Sequence, residues 1–175
     1  MPMVRGKKNP AHVGLPSRLK TARRQCGIKR RPLAEKAGIA PSTVIDIETK
    51  QRLPTVATIA RLAKALSVSA GWLAYGLSDT MADGTLATTE GMGTRLQTVR
   101  IEHGLTKAAL ARSGDLAPSA YAKIENGGQT GVEVIEALAQ ALGVSPSWLA
   151  FNQGPQVLPS RRRGRPPAQS ADPAG

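Results

Sequence analysis

The feature that most constrains this chain is that it repeats itself. Shifted by 77 positions, Arg18-Leu19 falls on Arg95-Leu96, Gly27-Ile28 on Gly104-Leu105 and Leu33-Ala34 on Leu110-Ala111. At the same shift Ala40-Pro41-Ser42 falls on Ala117-Pro118-Ser119 and Ile47-Glu48 on Ile124-Glu125. A one-residue deletion in the second copy, between about positions 50 and 59, reduces the shift to 76. Beyond it Ile59, Leu62-Ala63, Leu66 and Trp72-Leu73-Ala74 recur at Ile135, Leu138-Ala139, Leu142 and Trp148-Leu149-Ala150. An Ala/Leu-biased composition would not reproduce the Gly, Pro, Trp and Glu positions, so the chain is a duplication. Each copy has roughly sixty residues, enough for one compact helical domain and no more.

Aromatic residues are scarce and no Val/Ile/Tyr run alternates, so the expected class is all-α. Ser17 and Thr94 are predicted to cap the first helix of each copy, Thr94 in a capping-box pattern with Gln97. A second helix is expected from about Lys29 to Ala37, closed by Gly38, and a third from Pro41 to about Thr49. Val56, Ile59, Ala63 and Leu66 stripe a fourth, and Ser69-Ala70 and Ser145-Pro146 begin a short fifth. The expected order is a basic N-terminal arm (1–15), a first domain (16–77), a linker (78–92), a second domain (93–152) and a disordered basic tail (153–175). The linker is polar, acidic and Gly-bearing, which predicts flexibility.

The net charge of +12 is unevenly placed. Residues 1–31 hold ten Lys/Arg and no acid; residues 95–152 hold five of each. Residues 153–175 add four arginines against one aspartate. Basic ends around a neutral middle point to a polyanionic partner, nucleic acid ahead of an anionic membrane. The apolar region 53–77 is interrupted by Arg61 and Lys64, so no membrane span is expected, and MPMVRGKKNP lacks the apolar stretch of a signal peptide. Cys26 is the only cysteine, which excludes an intrachain disulfide or a cysteine zinc site and predicts a reducing, cytoplasmic setting, nucleoid-associated where the polyanion is DNA. His12 and His103 are the only histidines, and no zinc-protease, phosphate-loop or nucleophile-elbow motif occurs. Neither catalysis nor a cofactor nor a metal is expected.

A short helix, a turn bearing Gly and a second short helix form the helix-turn-helix unit. The ordered residues Arg23, Leu33-Ala34, Gly38, Ile47-Glu48 and Leu62-Ala63-Lys64-Ala65-Leu66 resemble the phage repressor/Cro-type (XRE-like) helix-turn-helix family. Arg100, Leu110-Ala111, Ile124-Glu125-Asn126-Gly127 and Leu138-Ala139-Gln140-Ala141-Leu142 repeat the resemblance. It implies two tandem five-helix, lambda-repressor-like domains that bind double-stranded DNA as a transcriptional regulator, with a repressor as the expected kind. It further implies that Arg23–Glu48 and Arg100–Glu125 pair, fastening helix 1 to helix 3.

Side chains near the N-terminus of the reading helix reach base edges in the major groove. In copy one these are Pro41, Ser42 and Thr43, with Asp46 a turn later; in copy two they are Ser119, Ala120, Tyr121 and Lys123. Asp46 is either an acceptor for cytosine N4 or a solvent-facing residue. Phosphate candidates are Lys29, Arg30 and Arg31, Lys107, and Lys50, Gln51 and Arg52 past helix 3. Copy one, residues 16–77, carries twelve bases against three acids, so it is the expected main DNA-binding head. Copy two is then a second head or a module that binds protein, as in antitoxins and adaptors. Arg163-Gly164-Arg165-Pro166 resembles an AT-hook for narrow A·T minor grooves; a tail that binds phosphates without preference is the other reading. Arg5, Lys7 and Lys8 resemble a basic arm reaching around the duplex, or simply add soluble charge. Heads of this type pair so that reading helices lie about 34 Å apart. A homodimer or an intramolecular pseudo-dimer would meet that requirement.

Overall fold

A computed structural model describes residues 10–77 and 89–157. Their regular structure is helical throughout. Copy one has a 3-10 turn, Ala11–Gly14, followed by α1 (Leu15–Gln25), α2 (Arg30–Ala37), α3 (Pro41–Lys50), α4 (Val56–Leu66) and α5 (Ala70–Tyr75). Copy two has α6 (Met92–Glu102), α7 (Lys107–Ser113), α8 (Pro118–Glu125), α9 (Val132–Leu142) and α10 (Pro146–Phe151). These are the two tandem five-helix domains that the repeat predicts.

The helix ends follow local chemistry. The Thr55 and Ser69 hydroxyls accept from the amides of Thr58 and Trp72, both at 3.2 Å, and so satisfy donors that the helix leaves free. Thr106 and Ser145 do the same for Ala109 and Trp148. Pro41 and Pro118 stand in the first turn of α3 and α8, where the missing N–H costs nothing. Leu33, Ala34, Val44, Ile47, Ile59 and Leu62, all at 0–1% exposure, form the centre of copy one.

Several local expectations are corrected. Ser17 and Thr94 lie inside their helices, and the caps are Gly14 and Gly91. In copy one the 3-10 turn runs straight into α1, drawing the helix start back to Leu15, which is fully buried. In copy two α6 begins at Met92 because its first turn lies against the end of α8. There a Cβ on Gly93 would fall 2.1 Å from the Glu125 carbonyl oxygen, so only glycine permits the approach. Two stretches that the sequence assigns to the arm and the tail are held by hydrogen bonds to the helices. The amides of Ala11 and His12 donate to the Glu136 carboxylate at 2.7 and 3.1 Å, and His12 Nδ1 meets the same group at 2.7 Å. At the other end, Gln153 Oε1 accepts from Ser69 Oγ and the Gly71 amide, both at 3.2 Å. The linker segment 78–88 and the termini 1–9 and 158–175, with the arm residues Arg5, Lys7 and Lys8 and the AT-hook-like Arg163–Pro166, lie outside the described residues.

The two copies pack on each other around a pseudo-two-fold axis. Val56 N donates to Thr130 O at 2.9 Å and Val132 N to Pro54 O at 3.3 Å, while Thr55 and Gly131 form an antiparallel bridge. With the shift of 76, Pro54, Thr55 and Val56 are the counterparts of Thr130, Gly131 and Val132. Each contact therefore recurs between the counterparts of its two residues, as in a symmetric dimer interface. Helices α5 and α10, also counterparts, lie against each other. The Tyr75 and Phe151 rings stand 6.3 Å apart between centroids, and the Tyr75 hydroxyl donates to Val132 O at 3.1 Å. One hydrophobic core runs through both copies.

Candidate nucleic-acid interface

Helix-turn-helix geometry arises in copy one because Gly38 takes a left-handed φ of 64° at the end of α2. Ala40 is then extended and Pro41 starts α3. Copy two makes the same turn with Asp115 at φ 53°, a residue whose short polar side chain tolerates that conformation. Val44 and Ile47 anchor the inner face of α3. Its outer face presents Pro41, Ser42, Ile45 and Thr49, all exposed, with Thr43 partly covered.

A buried carboxylate ties the second helix of each helix-turn-helix unit to its domain. Arg23 grips Glu48 with two hydrogen bonds, Nε to Oε1 at 2.7 Å and Nη2 to Oε2 at 3.1 Å, and donates from Nη1 to Ile28 O. Arg30 Nε adds a bond to Glu48 Oε2 at 2.6 Å. Burial works against the Glu48 charge, but the bonds from Arg23 and Arg30 outweigh it and hold the carboxyl below its ordinary range. In copy two Arg100 Nε donates to Glu125 Oε1 at 2.6 Å and Lys107 Nζ lies 3.0 Å from Oε2. Glu125 is likewise held low, burial being opposed by Arg100, Tyr121 and Lys107.

Tyr121, expected on the reading face, is a correction. It is fully buried and its hydroxyl donates to Glu125 Oε1 at 2.8 Å. The reason is register: Tyr121 is the counterpart of Val44, a core position, so its ring fills the core and its hydroxyl needs an internal acceptor. Burial, then the Glu125 bond, pushes its phenol well above the ordinary tyrosine range by opposing ionisation.

The other site residues divide by how they are held. Lys29 is exposed at the N-cap of α2. Arg31 is exposed and pairs with Glu35 across one helical turn at 3.1 Å, a contact of small worth in water. Arg30 and Lys107 occupy counterpart positions, are each about half-exposed and are tethered to the buried glutamate. Asp46 is drawn in beneath two cations, Lys50 Nζ at 2.9 Å and Arg52 Nη1 at 3.6 Å, leaving its side chain 17% exposed. The Lys50 bond is the main cause of its lowered pKa, so it stays ionised. Gln51 ends α3 in a left-handed conformation and is exposed. In copy two Ser119 and Lys123 are exposed.

Two residues of the site were missed by sequence reasoning. Ile45 is 42% exposed in the middle of the α3 outer face; its signal was an isoleucine lying off the stripe of Val44 and Ile47. Arg18, matched by Arg95, donates to Leu73 O and Ala74 O at the end of α5, so this cation is occupied in holding the fold. Its signal was recurrence in both copies.

Among the described residues no group of His, Cys, Asp and Glu could hold a metal ion, and no helix is long and apolar enough to cross a membrane. No curated protein and no solved structure matches the chain. The family model described as Helix-turn-helix matches it twice, over residues 19–73 and 96–149. These spans cover both α2–α3 and α7–α8 units and more than half of the sequence. The chain belongs to the helix-turn-helix family of XRE type, a family of DNA-binding regulators and not of enzymes.

Proposed function

We propose that this chain is a sequence-specific repressor that binds double-stranded DNA as an intramolecular pseudo-dimer, with α3 and α8 reading successive major grooves. The observation that carries the reading is the symmetric exchange of Pro54 and Val56 with Thr130 and Val132. A two-fold arrangement of heads matches the two-fold backbone symmetry of a duplex. Ser42 and Thr43 in α3, and Ser119 and Lys123 in α8, are the base-edge set. Lys29, Arg31, Lys50, Gln51 and Arg52 are the phosphate set, supported by their exposure around α2 and α3. Arg30 and Lys107 reach phosphate only as far as their glutamates allow. Arg163–Pro166 adds an A·T-preferring minor-groove contact, and Arg5, Lys7 and Lys8 a basic arm.

The test is selection of bound fragments from random DNA, followed by footprinting and light scattering of the complex. A monomer protecting two successive half-sites is the expected result; a monomer protecting one half-site overturns the pseudo-dimer. Six to ten phosphate contacts predict a loss of about three to five decades in affinity between low and moderate salt. Without that salt dependence the DNA-binding reading fails. Placing the selected site over a promoter tests repression by in vitro transcription. Deleting residues 160–175 should weaken A·T-rich flanks selectively.

The balanced charge of copy two favours a second reading for that copy alone, in which its outer face binds a protein partner. Under it, Lys123→Ala would leave DNA affinity unchanged.

A further inference from the structure

The two reading helices share an opening, Pro-Ser, and then diverge where they face outward. Ile45, Asp46 and Thr49 in α3 have Ala122, Lys123 and Asn126 as counterparts. In α3 the polar groups around Ile45 are engaged within the protein. Asp46 faces Lys50 and Arg52, and the Thr49 hydroxyl donates to Ile45 O at 2.7 Å. What the middle of α3 offers outward is therefore an aliphatic side chain, 42% exposed, while its neighbours Val44 and Ile47 are in the core. In the major groove the apolar feature of a base edge is the thymine C5-methyl group. In α8 the aliphatic side chain is reduced to Ala122, and the next position carries Lys123, exposed and with no ion pair among the described residues. A lysine there suits the O6 and N7 acceptors of guanine.

We propose that Ile45 is a specificity residue that reads a thymine methyl in the half-site beneath copy one, and that Lys123 reads guanine beneath copy two, so that the bound site is directional. This rests on the proposed function, since it assigns base preferences to the two heads. A homodimer of either copy would present identical halves. This chain presents unlike halves in fixed order, and its site therefore has a sense along the DNA.

The test uses the full chain and the selected duplex, with each thymine replaced in turn by deoxyuridine, which removes only the methyl. Affinity is measured by fluorescence anisotropy. Wild type should lose about four-fold at one or two positions confined to one half, the worth of one methyl buried. Ile45→Ala should abolish that sensitivity, binding the thymine and deoxyuridine duplexes equally. Lys123→Ala should reduce discrimination for a guanine in the other half by about ten-fold. Circular dichroism and thermal unfolding like wild type report that both variants fold. Equal methyl sensitivity in both halves, none in either, or its retention in Ile45→Ala overturns the proposal while DNA binding stands. Failure to bind any duplex overturns the underlying reading and this proposal together.

Discussion

Copy one and copy two solve the same structural problem with the same residues and then present different surfaces. Arg18 and Arg95 cap α5 and α10, and Arg23–Glu48 and Arg100–Glu125 bind the first helix to the third. Arg30 and Lys107 add the same third partner with different chemistry. In their remaining charged residues the likeness ends, with twelve bases against three acids in residues 16–77 and five of each in residues 95–152. A duplication thus sorts charged residues into two kinds. Those that recur belong to the scaffold, and those that differ lie mostly on the faces free to change, with buried Glu136 the exception. It also shows that a raw count of cations overstates the charge available to DNA, because three of the twelve in copy one are held internally.

The comparison breaks most severely at the shared carboxylates. Glu48→Ala and Glu125→Ala should each cost about 3–5 kcal/mol in denaturant unfolding, because each leaves a largely buried guanidinium unpaired. If one copy tolerated the change, the equivalence of the two scaffolds would be lost. Both carboxyls are held below the ordinary range in the folded state. The stability they add is present above the unfolded glutamate pKa and lost as pH falls through the lower, folded value. Urea midpoints should therefore fall on acidification through that window, and a Glu48→Gln/Glu125→Gln variant should show a flatter acid limb.

A smaller effect tests where symmetry fails. Glu136 has Ala60 as its counterpart, and it accepts from the amides of Ala11 and His12 in the 3-10 turn, beside the Arg18 bond to Ala11 O. Glu136→Ala strips acceptors from two amides and should cost about 1–3 kcal/mol. Hydrogen exchange should quicken at Ala11 and His12 and leave α6–α8 unaffected. Tyr75→Phe removes one buried hydrogen bond across the axis and should cost about 1 kcal/mol in thermal unfolding, with Phe151 still seated. Least in stability, and sharpest for the contrast in charge, is Lys29→Ala/Arg31→Ala. It should leave the melting temperature near wild type and lower the salt slope of duplex binding by about two, one per phosphate contact.

Most of the fold was legible because the duplication supplied its own control. Gly27, Pro41 and Glu48 recur at Gly104, Pro118 and Glu125, as do the helix periods, and each carries a local conformational reason. The features that escaped depend on distance. Nothing near residue 12 announces Glu136, which lies 124 positions away, and nothing near Gln153 announces Ser69. Tyr121 was misplaced because its type was weighed without its register, although Val44 in the other copy marked the position as core. The start of α6 depended on Gly93 meeting the end of α8, an approach that capping preferences do not encode.

The pairing across Thr55 and Gly131 has a consequence for dosage. Regulators assembled from separate subunits dissociate on dilution, and their response to expression level is correspondingly steep. Here both halves ride on one polypeptide, so each stays near the other however few molecules the cell holds. Under the proposed pseudo-dimer, occupancy of the DNA site would rise with the first power of protein number, giving a graded, low-threshold response instead of a sharp switch.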